Sequence, residues 1–333
     1  MNNKCISVVI PAYNEEEVIR QCYDALSDVM IDTIYEYELI FVNDGSKDRT
    51  LLILDELARL DEHVRIVNFA RNFGHQAAVT AGINTSIGDC VVIIDADLQD
   101  PPSVIHQMIE KWEEGYEVVY GKRRKRKGET IFKLASASLF YRFLQRMSDT
   151  EIPRDTGDFR LIDRKVVHVF NRMTEKNKFI RGIISWIGFN QTFVEYDRNE
   201  RFAGTTKYPL RKMLAFASDG IFSFSSKPLK LITRMGTLTV LLAFIVLVYS
   251  LCAKLFDLPT VMPGWTSIMT AITLFSGVQM LSLGVMGEYI ARIYDESKNR
   301  PQYIVRETVH YPQEEIRLNE TYQYYSPSEM ISK

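Results

Sequence analysis

The stretch Val91-Val92-Ile93-Ile94-Asp95-Ala96-Asp97-Leu98-Gln99-Asp100-Pro101-Pro102 decides the fold of this chain. Its four β-branched residues predict a buried strand, which ends at two carboxylates and a following Pro-Pro pair. Open α/β sheets bind their ligands at the carboxyl ends of the strands, where Asp95 and Asp97 would offer oxygen ligands to Mg²⁺ or Mn²⁺. An Asp-x-Asp pair fits a solvated turn equally well, so the remaining sequence has to decide between the two interpretations.

The composition predicts a folded protein with a sizeable core. The chain has 333 residues, of which 46% are hydrophobic and 11% aromatic, enough for one large or two small domains. Its net charge of -2 gives no reason to expect a nucleic-acid partner. The four cysteines lack zinc-binding spacing and predict reduced thiols in a cytosolic setting. The first 30 residues carry a strand pattern and an acidic helix start, so we expect no signal peptide there.

Strand and helix patterns alternate through the first hundred residues. Strands are predicted at residues 6–11, 37–42 and 64–69, each followed by a turn and a helical pattern. Asn14 is predicted to cap the first helix, with acids filling the first turn. Repeated strand-turn-helix units are typical of a parallel sheet. The fold class is therefore predicted to be α/β, a doubly wound nucleotide-binding domain in which residues 91–94 form the fourth strand.

A run of six bases, residues 122–127, follows a predicted helix at 104–112 and a predicted strand at 117–120. Such a run usually forms a solvated loop, and the alternative is a loop that faces phosphates or a membrane. Beyond it, the pattern predicts a helix within residues 130–150. Residues 155–160 are predicted to form a turn that presents two acids and an arginine.

Two long uncharged stretches, residues 235–253 and 259–287, dominate the C-terminal third. Crossing about 30 Å of hydrocarbon requires roughly 20 apolar residues, so transmembrane helices are predicted at 232–256 and 265–290. Basic residues precede the first stretch and follow the second, and the positive-inside rule then places both ends and the α/β domain in the cytoplasm.

The segments that flank this hairpin are predicted from composition. Residues 201–231 read as a polar loop followed by amphipathic helices in a membrane interface, with a soluble core helix as the alternative. Residues 291–333 are predicted to be a cytoplasmic tail, helical or irregular. Glycines in the second stretch would permit close helix packing, so a homo-oligomer is possible.

Five motifs, taken in order along the chain, together resemble one protein family. They are Pro11-Ala-Tyr-Asn-Glu15, Val42-Asn-Asp44-Gly-Ser, Asp95-Ala-Asp97-Leu-Gln99-Asp-Pro-Pro, Gly157-Asp158-Phe-Arg160 and Arg201-Phe-Ala-Gly-Thr-Thr-Lys207-Tyr. The set resembles family 2 glycosyltransferases, and more narrowly the polyisoprenyl-phosphate glycosyltransferases, which include bacterial undecaprenyl-phosphate glucosyltransferases and dolichyl-phosphate mannose synthase. The resemblance implies a Rossmann-like GT-A catalytic domain over residues 1–200, followed by interfacial helices and a two-helix transmembrane hairpin.

The resemblance also implies a role for each motif. Asp97 and Gln99 would hold Mg²⁺ or Mn²⁺, and Asp95 would contact the ribose or the metal. Asp158 stands where related transferases place a base, so the implied catalytic residues are Asp158, Asp97 and Asp95. The phosphates of the donor or acceptor would bind Arg123, Arg201 and Lys207. Residues implied to bind the nucleotide-sugar are Pro11, Ala12, Tyr13, Glu15, Val42, Asp44, Asp95, Ala96 and Asp97.

Two side chains keep alternative interpretations. Asp158 either acts as a base, or orients the acceptor or a sugar hydroxyl, or is a turn acid paired with Arg160. His75 is expected to be a polar residue at a helix N-terminus near the nucleotide rather than the general base.

The function that the resemblance implies is inverting transfer of one sugar, glucose or N-acetylglucosamine, from a UDP-sugar to undecaprenyl phosphate at the cytoplasmic face of a membrane. A lipid phosphate is mostly dianionic at neutral pH, so it needs no strong general base. One alternative is a processive polysaccharide synthase, although the chain lacks the Gln-x-x-Arg-Trp motif and the additional spans of that class. The other is a non-catalytic membrane scaffold that binds a nucleotide.

Overall fold

The computed structural model describes residues 4–124, 156–176, 178–199, 227–255 and 264–311. The predictions for most of the basic run, for the helix within 130–150 and for residues 201–226 lie outside this part of the chain. The described residues belong to two compact units. One is an α/β unit that includes the chain up to residue 199 and again from residue 300, and the other contains the two long helices that lie between them in the sequence.

Eight strands and six helices make up the α/β unit within the described residues. The strands are β1 (Cys5–Ala12), β2 (Glu36–Asn43), β3 (Val64–Phe69), β4 (Cys90–Ile93), β5 (Val118–Arg123), β6 (Thr156–Asp163), β7 (Gln191–Tyr196) and β8 (Val305–Val309). The helices are α1 (Ile19–Ile31), α2 (Thr50–Leu60), α3 (His75–Thr85), α4 (Val104–Glu113), α5 (Arg164–Asn171) and α6 (Ile180–Ile187). The second unit contains α7 (Lys227–Leu255) and α8 (Trp265–Ser297).

The strands form one sheet in the order β7-β5-β6-β4-β1-β2-β3-β8. Strands β1 to β4 run parallel, as do β5 and β7, whereas β6 is antiparallel to both of its neighbours and β8 is antiparallel to β3. The predicted α/β class is confirmed, and the strand predicted at 91–94 is β4, near the middle of the sheet.

The central strands are mostly apolar because helices cover both faces of the sheet. Ile6, Val8 and Ile10 of β1 pack into a cluster with residues of α1, α2 and α4. The intervening Val9 faces α3, where Gly82 lies so close that a Cβ would overlap the valine side chain. The two layers of helices therefore hold β1, and through it the strand ends, in a fixed position.

Strand β6 corrects one prediction. Residues 155–160 were expected to form a turn, but Thr156–Asp163 is a strand inserted between β4 and β5. Phe159 and Leu161 alternate into the core, as a period of two requires, and they outweigh the turn-like composition of the preceding Gly157.

The cap predicted for the first helix was also wrong. α1 begins at Ile19, after Val18, and Asn14 lies outside it in the left-handed region with a φ of 54°. The Asn14 side chain instead accepts a hydrogen bond from the Lys47 backbone N–H at 2.8 Å. Asparagine tolerates this conformation because its short polar side chain bonds locally, and here that bond joins two loops.

The C-terminal segment differs from the helix or irregular tail that we expected. Residues Val305–Val309 form β8, which adds an antiparallel strand to the edge of the sheet at β3. An edge strand has one exposed side, which carries polar residues. β8 therefore lacks the apolar pattern by which the central strands were predicted.

The two predicted long helices are present as α7 and α8. Among the described residues, Leu274–Ser297 has the length and the apolar composition needed to cross a membrane, and none of its most apolar stretch is buried in the protein. Crossing of a bilayer by α7 stays a prediction.

Replacing Phe41 with Ala tests the central position of β2. Phe41 is fully buried, and truncating a buried Phe costs about 3–5 kcal/mol because it leaves a cavity. Urea unfolding of the detergent-solubilised protein measures the loss. Leu60→Ala, at a position that is 81% exposed, should change stability by no more than about 0.5 kcal/mol; equal losses in the two variants would contradict the topology.

Candidate active site

The carboxyl ends of the parallel strands bring the motif residues to one edge of the sheet. Tyr13 and Glu15 follow β1, Asp44 follows β2, and Asp95 follows β4. Asp158 reaches the same edge from the opposite direction, because it lies near the start of the antiparallel β6. The position predicted for the Asp95-Ala96-Asp97 turn, directly after a buried central strand, is the one observed.

Hydrogen bonds tie the β1–α1 loop to the β2–α2 loop. The Asn14 backbone N–H donates to Ser46 Oγ at 3.0 Å, and the Glu15 backbone N–H donates to Thr50 Oγ1 at 2.8 Å. Below the loops, Pro11 pairs with Val42 in the β1–β2 ladder. Two loops that each carry predicted nucleotide-binding residues are thereby held in one arrangement.

Asp44 is a buried carboxylate that fixes a third loop. Its Oδ1 accepts from the Phe73 backbone N–H at 2.6 Å and its Oδ2 from the Gly74 backbone N–H at 2.9 Å. Burial raises the pKa of Asp44, although these two bonds oppose the rise. The next residue, Gly45, has a φ of 64°, and a Cβ there would overlap the backbone of Arg71. Asp44 therefore connects the end of β2 to the loop that leads into α3.

The turn after β4 has a defined geometry of its own. Leu98 adopts a positive φ of 55°, and Asp97 Oδ1 accepts from the Gln99 backbone N–H at 3.2 Å. The Gln99 carbonyl accepts from the Asn199 backbone N–H at 2.9 Å, which links this turn to the chain that follows β7.

His75, the first residue of α3, lies between two carboxylates. Its Nε2 is 3.2 Å from Asp158 Oδ2 and 3.6 Å from Asp95 Oδ1. Burial alone would lower the pKa of His75, but the two carboxylates raise it to about 9. At neutral pH the imidazole is therefore a cation, as its ion pairs require.

Arg181 of α6 is the second cation beside Asp158. Its Nε donates to Asp158 Oδ1 at 2.7 Å, and its second guanidinium nitrogen donates to Oδ2 at 3.1 Å. Arg160, which sequence reasoning offered as the partner, donates from its Nε to the backbone carbonyl of Asp158 instead. Residues 158 and 160 are two apart on a strand and so point to the same face, but the Arg160 side chain turns toward backbone carbonyls while α6 supplies the guanidinium.

The charges in this cluster shift the two carboxylates in opposite directions. Burial would raise the pKa of Asp158, yet Arg181 and His75 hold it well below its usual range. Burial raises the pKa of Asp95 to about 6; the His75 cation opposes that rise, and the neighbouring carboxylates of Asp158, Asp97 and Asp100 add to it. Asp158 is thus ionised, while Asp95 lies among other carboxylates whose negative charge raises its pKa.

A second buried carboxylate, Asp100, organises the other side of the β4 turn. Arg123, at the end of β5, donates to both Asp100 oxygens at 3.1 and 3.2 Å, and the Tyr196 hydroxyl donates to Oδ1 at 2.5 Å. Arg198 Nε lies 3.6 Å from the same oxygen. Arg123, predicted to bind phosphate, is therefore positioned at the site edge by an ion pair, with only 17% of its side chain exposed.

The donor groups at the β4 turn fit a divalent cation. Asp95, Asp97 and Asp100 bring three carboxylates near one strand end, and their mutual repulsion contributes to the raised pKa of Asp95. Carboxylate and amide oxygens are the ligands that Mg²⁺ and Mn²⁺ prefer, so Asp97 and Gln99 have the right chemistry. Within the described residues no group of three or more His, Cys, Asp or Glu side chains is arranged to hold a metal ion.

The structure thus brings Asp95 and Asp158 together around His75. Asp97 lies two residues after Asp95 on the same turn, and Asp44 lies at the start of the β2–α2 loop. Ala96 is buried behind the turn. Arg201 and Lys207 lie outside the described residues, and their role in binding phosphates stays a prediction, as do the ligand roles of the other motif residues.

Sequence reasoning missed Arg181 and the Asp100 pairing. Arg181 lies in Ile180-Arg181-Gly182-Ile183-Ile184, where a single charge interrupts an apolar helix. A single charged side chain among buried apolar residues is seldom buried without an oppositely charged partner. The sequence around Arg181 therefore indicates that this arginine pairs with a carboxylate. Nothing in the sequence indicated that Tyr196 would reach Asp100.

Comparison with known proteins extends over nearly the whole chain. Residues 7–170 match the family described as glycosyl transferase family 2, and residues 227–293 match the GtrB C-terminal hairpin. An uncharacterized glycosyltransferase of Bacillus subtilis (strain 168), YkcC, is 56% identical over 302 residues, which are 91% of this chain and 93% of that protein. The prophage bactoprenol glucosyl transferase homolog of Escherichia coli (strain K12) is 40% identical over 301 residues, 90% of this chain and 98% of that protein.

Among solved structures, the complex of glucosyl-3-phosphoglycerate synthase from Mycobacterium tuberculosis with Mn²⁺, UDP and glucosyl-3-phosphoglycerate is 21% identical to this chain. The match covers 66% of this chain and 78% of that one, with a TM-score of 0.45, which is too low to support an argument about function.

Replacing Arg181 with Gln should lower the free energy of unfolding at neutral pH by about 3 kcal/mol, because the buried Asp158 carboxylate loses its main counter-charge. The folded-state pKa of Asp158 lies well below its ordinary value of 3.8. The ion pair therefore stabilises the fold above that value, and the stabilisation is lost as the pH falls through the folded-state pKa. Urea unfolding of wild type and variant should show a full difference at pH 7 that shrinks below about pH 4.

The matched control is Arg172→Gln, since Arg172 is an exposed arginine just after α5. Its difference from wild type should be small at every pH. A difference between wild type and Arg181→Gln that stays constant from pH 7 to pH 3 would contradict the assignment of Asp158 as the ionised partner.

Proposed function

The chain belongs to glycosyl transferase family 2, and on that premise we propose that it transfers a single sugar, glucose or N-acetylglucosamine, from a UDP-sugar to undecaprenyl phosphate. The observation that carries the proposal is the convergence of Asp95 and Asp158 at the carboxyl edge of the sheet, around the cationic His75, with Asp97 on the same turn as Asp95. The acceptor class comes from relatives named bactoprenol glucosyl transferases, which are about 40% identical over nine-tenths of the chain.

The donor binds across the loops that follow β1 and β2. Tyr13 and Glu15 on one loop and Asp44 on the other offer an aromatic ring and carboxylates, which suit a base, its N–H groups and sugar hydroxyls. The hydrogen bonds between the loops support this role, since the donor pocket is held in shape before the donor arrives.

Asp97 and Gln99 would hold a divalent cation, Mg²⁺ or Mn²⁺, and that cation would supply Lewis-acid stabilisation of the charge on a leaving diphosphate. Asp95 lies beside these residues on the nucleotide side.

Asp158 positions groups rather than removing a proton. A carboxylate that faces Arg181 and His75 and keeps a pKa well below its usual range is a poor base. The acceptor needs none, since a phosphate monoester has a second pKa near 6 and is mostly dianionic at neutral pH. An acceptor oxygen attacks the anomeric carbon as the bond to UDP breaks, which inverts the configuration. Arg123, Arg201 and Lys207 offset the repulsion between the acceptor and the donor phosphates.

The topology of the chain supports a membrane site. The α/β unit includes residues on both sides of α7 and α8 in the sequence, so a membrane hairpin made of these helices begins and ends on the same side of the bilayer. With the basic residues that flank the hairpin, the positive-inside rule makes that side the cytoplasm. Bases near a membrane surface each contribute about 1 kcal/mol by attraction to anionic headgroups. Lys122, Arg123 and Arg124 are paired with carboxylates of the protein, so this role is proposed for residues 125–127, which lie outside the described residues.

Purified full-length protein with Mg²⁺, undecaprenyl phosphate and a panel of UDP-sugars should yield one lipid-linked monosaccharide, detected by mass spectrometry. Asp97→Asn should reduce the rate by roughly 100-fold or more, because the cation loses a charged ligand. It should also weaken Mn²⁺ binding in calorimetric titrations with UDP present.

The matched control is Asp28→Asn, which removes an exposed carboxylate of α1 far from the strand ends in sequence. It should keep full activity. Wild-type protein that binds UDP but forms no product with any donor would reject the transferase and favour a nucleotide-binding scaffold.

The pH dependence of kcat/KM for the acceptor tests whether the acceptor supplies its own ionisation. Activity should rise through an apparent pKa near 6, the second pKa of the lipid phosphate. Replacing the acceptor by a polyprenyl phosphonate, whose second pKa is different, should move this acidic limb by the same amount. A limb that stays in place would assign the ionisation to the enzyme, with Asp95 the first residue to test.

A further inference from the structure

The chain returns to the α/β unit after α8 and completes the sheet there. β8 pairs with β3 so that Glu307 lies directly opposite Asn68 and Val309 opposite Ile66. The Ala70 backbone N–H, just past the end of β3, donates to the Ile304 carbonyl at 3.0 Å. The segment from 303 to 309 therefore runs along the strand that leads to His75.

A line of side-chain hydrogen bonds runs from Glu307 across two strands to the β2–α2 loop. Asn68 Nδ2 donates to Glu307 Oε1 at 2.6 Å, and Asn43 Nδ2 donates to Asn68 Oδ1 at 2.8 Å. The Ser46 backbone N–H then donates to Asn43 Oδ1 at 3.3 Å. Both asparagines are almost completely buried, so an unmet polar group on either of them is costly. Glu307 itself is exposed, and its bond to Asn68 is partly buried.

The Glu307 carboxylate determines how the side-chain amides of Asn68 and Asn43 are oriented. An ionised Glu307 accepts hydrogen bonds and donates none, so Asn68 must present its NH₂ group to it. The Asn68 oxygen then faces Asn43, which in turn must present its own NH₂ group and keep its oxygen for the Ser46 backbone. Hydrogen bonds to a charged group are also stronger than neutral ones and polarise the bonds behind them.

A second route from the same segment runs through aromatic rings. Tyr303 is buried and stacks on Phe69, with ring centroids 5.0 Å apart and an angle of 14° between the planes. Phe69 meets Phe73 edge to face at 5.7 Å, and the Phe73 backbone N–H donates to Asp44. The Tyr303 hydroxyl accepts from Asn84 Nδ2 at 3.1 Å, which anchors the ring to α3.

Both routes end at Asn43-Asp44-Gly45-Ser46, one of the two loops assigned above to the donor. We propose that Glu307 and Tyr303 are positioning residues for donor binding, acting through Asn68 and Asn43 and through Phe69 and Phe73. This inference rests on the proposed function. It adds to the donor site two residues that touch no substrate and lie more than 200 positions after the loop they orient.

Pairing of β8 with β3 through the backbone alone does not account for these contacts. Backbone pairing protects the sheet edge whatever side chain stands at 307, since edge strands tolerate many residues. The carboxylate adds orientation of the buried amides, and its loss therefore acts on the loop rather than on the strand.

Glu307→Ala in the full-length protein should raise KM for the UDP-sugar and Kd for UDP with Mg²⁺ by roughly 5–10-fold, the size expected for losing a hydrogen bond to a charged group. kcat and KM for the lipid phosphate should stay within about 2-fold, because the acceptor side of the site is unchanged. Glu307→Gln, which can still accept a bond from Asn68, should fall between wild type and Glu307→Ala.

The matched control is Arg306→Ala, the neighbouring exposed residue of β8. It should keep wild-type KM values. Combining Glu307→Ala with Asn68→Ala should raise KM no further than Asn68→Ala alone, because both changes interrupt one line of contacts. Tyr303→Leu provides an independent variant for the aromatic route, and it should also raise KM for the UDP-sugar alone.

Thermal unfolding of each variant separates positioning from general damage. Wild-type melting with unchanged Kd for UDP in Glu307→Ala and Tyr303→Leu would overturn the inference. If Glu307→Ala does not fold, Glu307→Gln with wild-type KM and Kd would overturn it equally. Absence of UDP binding by the wild-type protein would instead overturn the proposed donor, and the positioning role with it.

Discussion

Asp158 is an ionised carboxylate buried at the carboxyl edge of the sheet, and the site depends on the two cations that face it. Arg181 comes from α6, and His75 from the first position of α3. His75 also faces Asp95 at the end of β4. A buried charge without partners is costly, so this cluster holds β6, α6, α3 and the end of β4 at fixed distances. The position of the β4 turn follows from that constraint.

Two strands run against the direction of the rest, and both deliver side chains to the site. β6 inserts between β4 and β5 and brings Asp158 to an edge where the parallel strands end. β8 pairs with β3 and brings Glu307 to the buried amide of Asn68. A parallel sheet of this kind offers strand ends on which loops vary. Here the two reversed strands bring in groups from later in the chain, Asp158 to the carboxyl edge of the sheet and Glu307 to the buried amide of Asn68.

The sequence predicted the parallel half of the fold because its strands are apolar runs that end in polar turns. That pattern alone predicts Asp44, Asp95 and Asp97 at one edge of the sheet. It failed where the partner was distant in sequence or the strand was polar. Arg181 lies 23 residues from Asp158, and no local periodicity relates them. Residues 305–309 contain Arg306, Glu307 and Thr308. Because these residues are polar, the sequence predicted a helical or irregular tail where the structure has an edge strand.

The place of β8 in the chain sets an order for biosynthesis. The ribosome makes β3 early and β8 only after both long helices, so the sheet has an open edge while α7 and α8 are being produced. During that time the Asn68 amide has no carboxylate to orient it. If Glu307 orients the β2–α2 loop, that loop takes its final arrangement only after α7 and α8 have been made. A nascent or truncated chain without β8 then holds every motif residue yet binds nucleotide-sugar several-fold more weakly, so full affinity requires synthesis through residue 309.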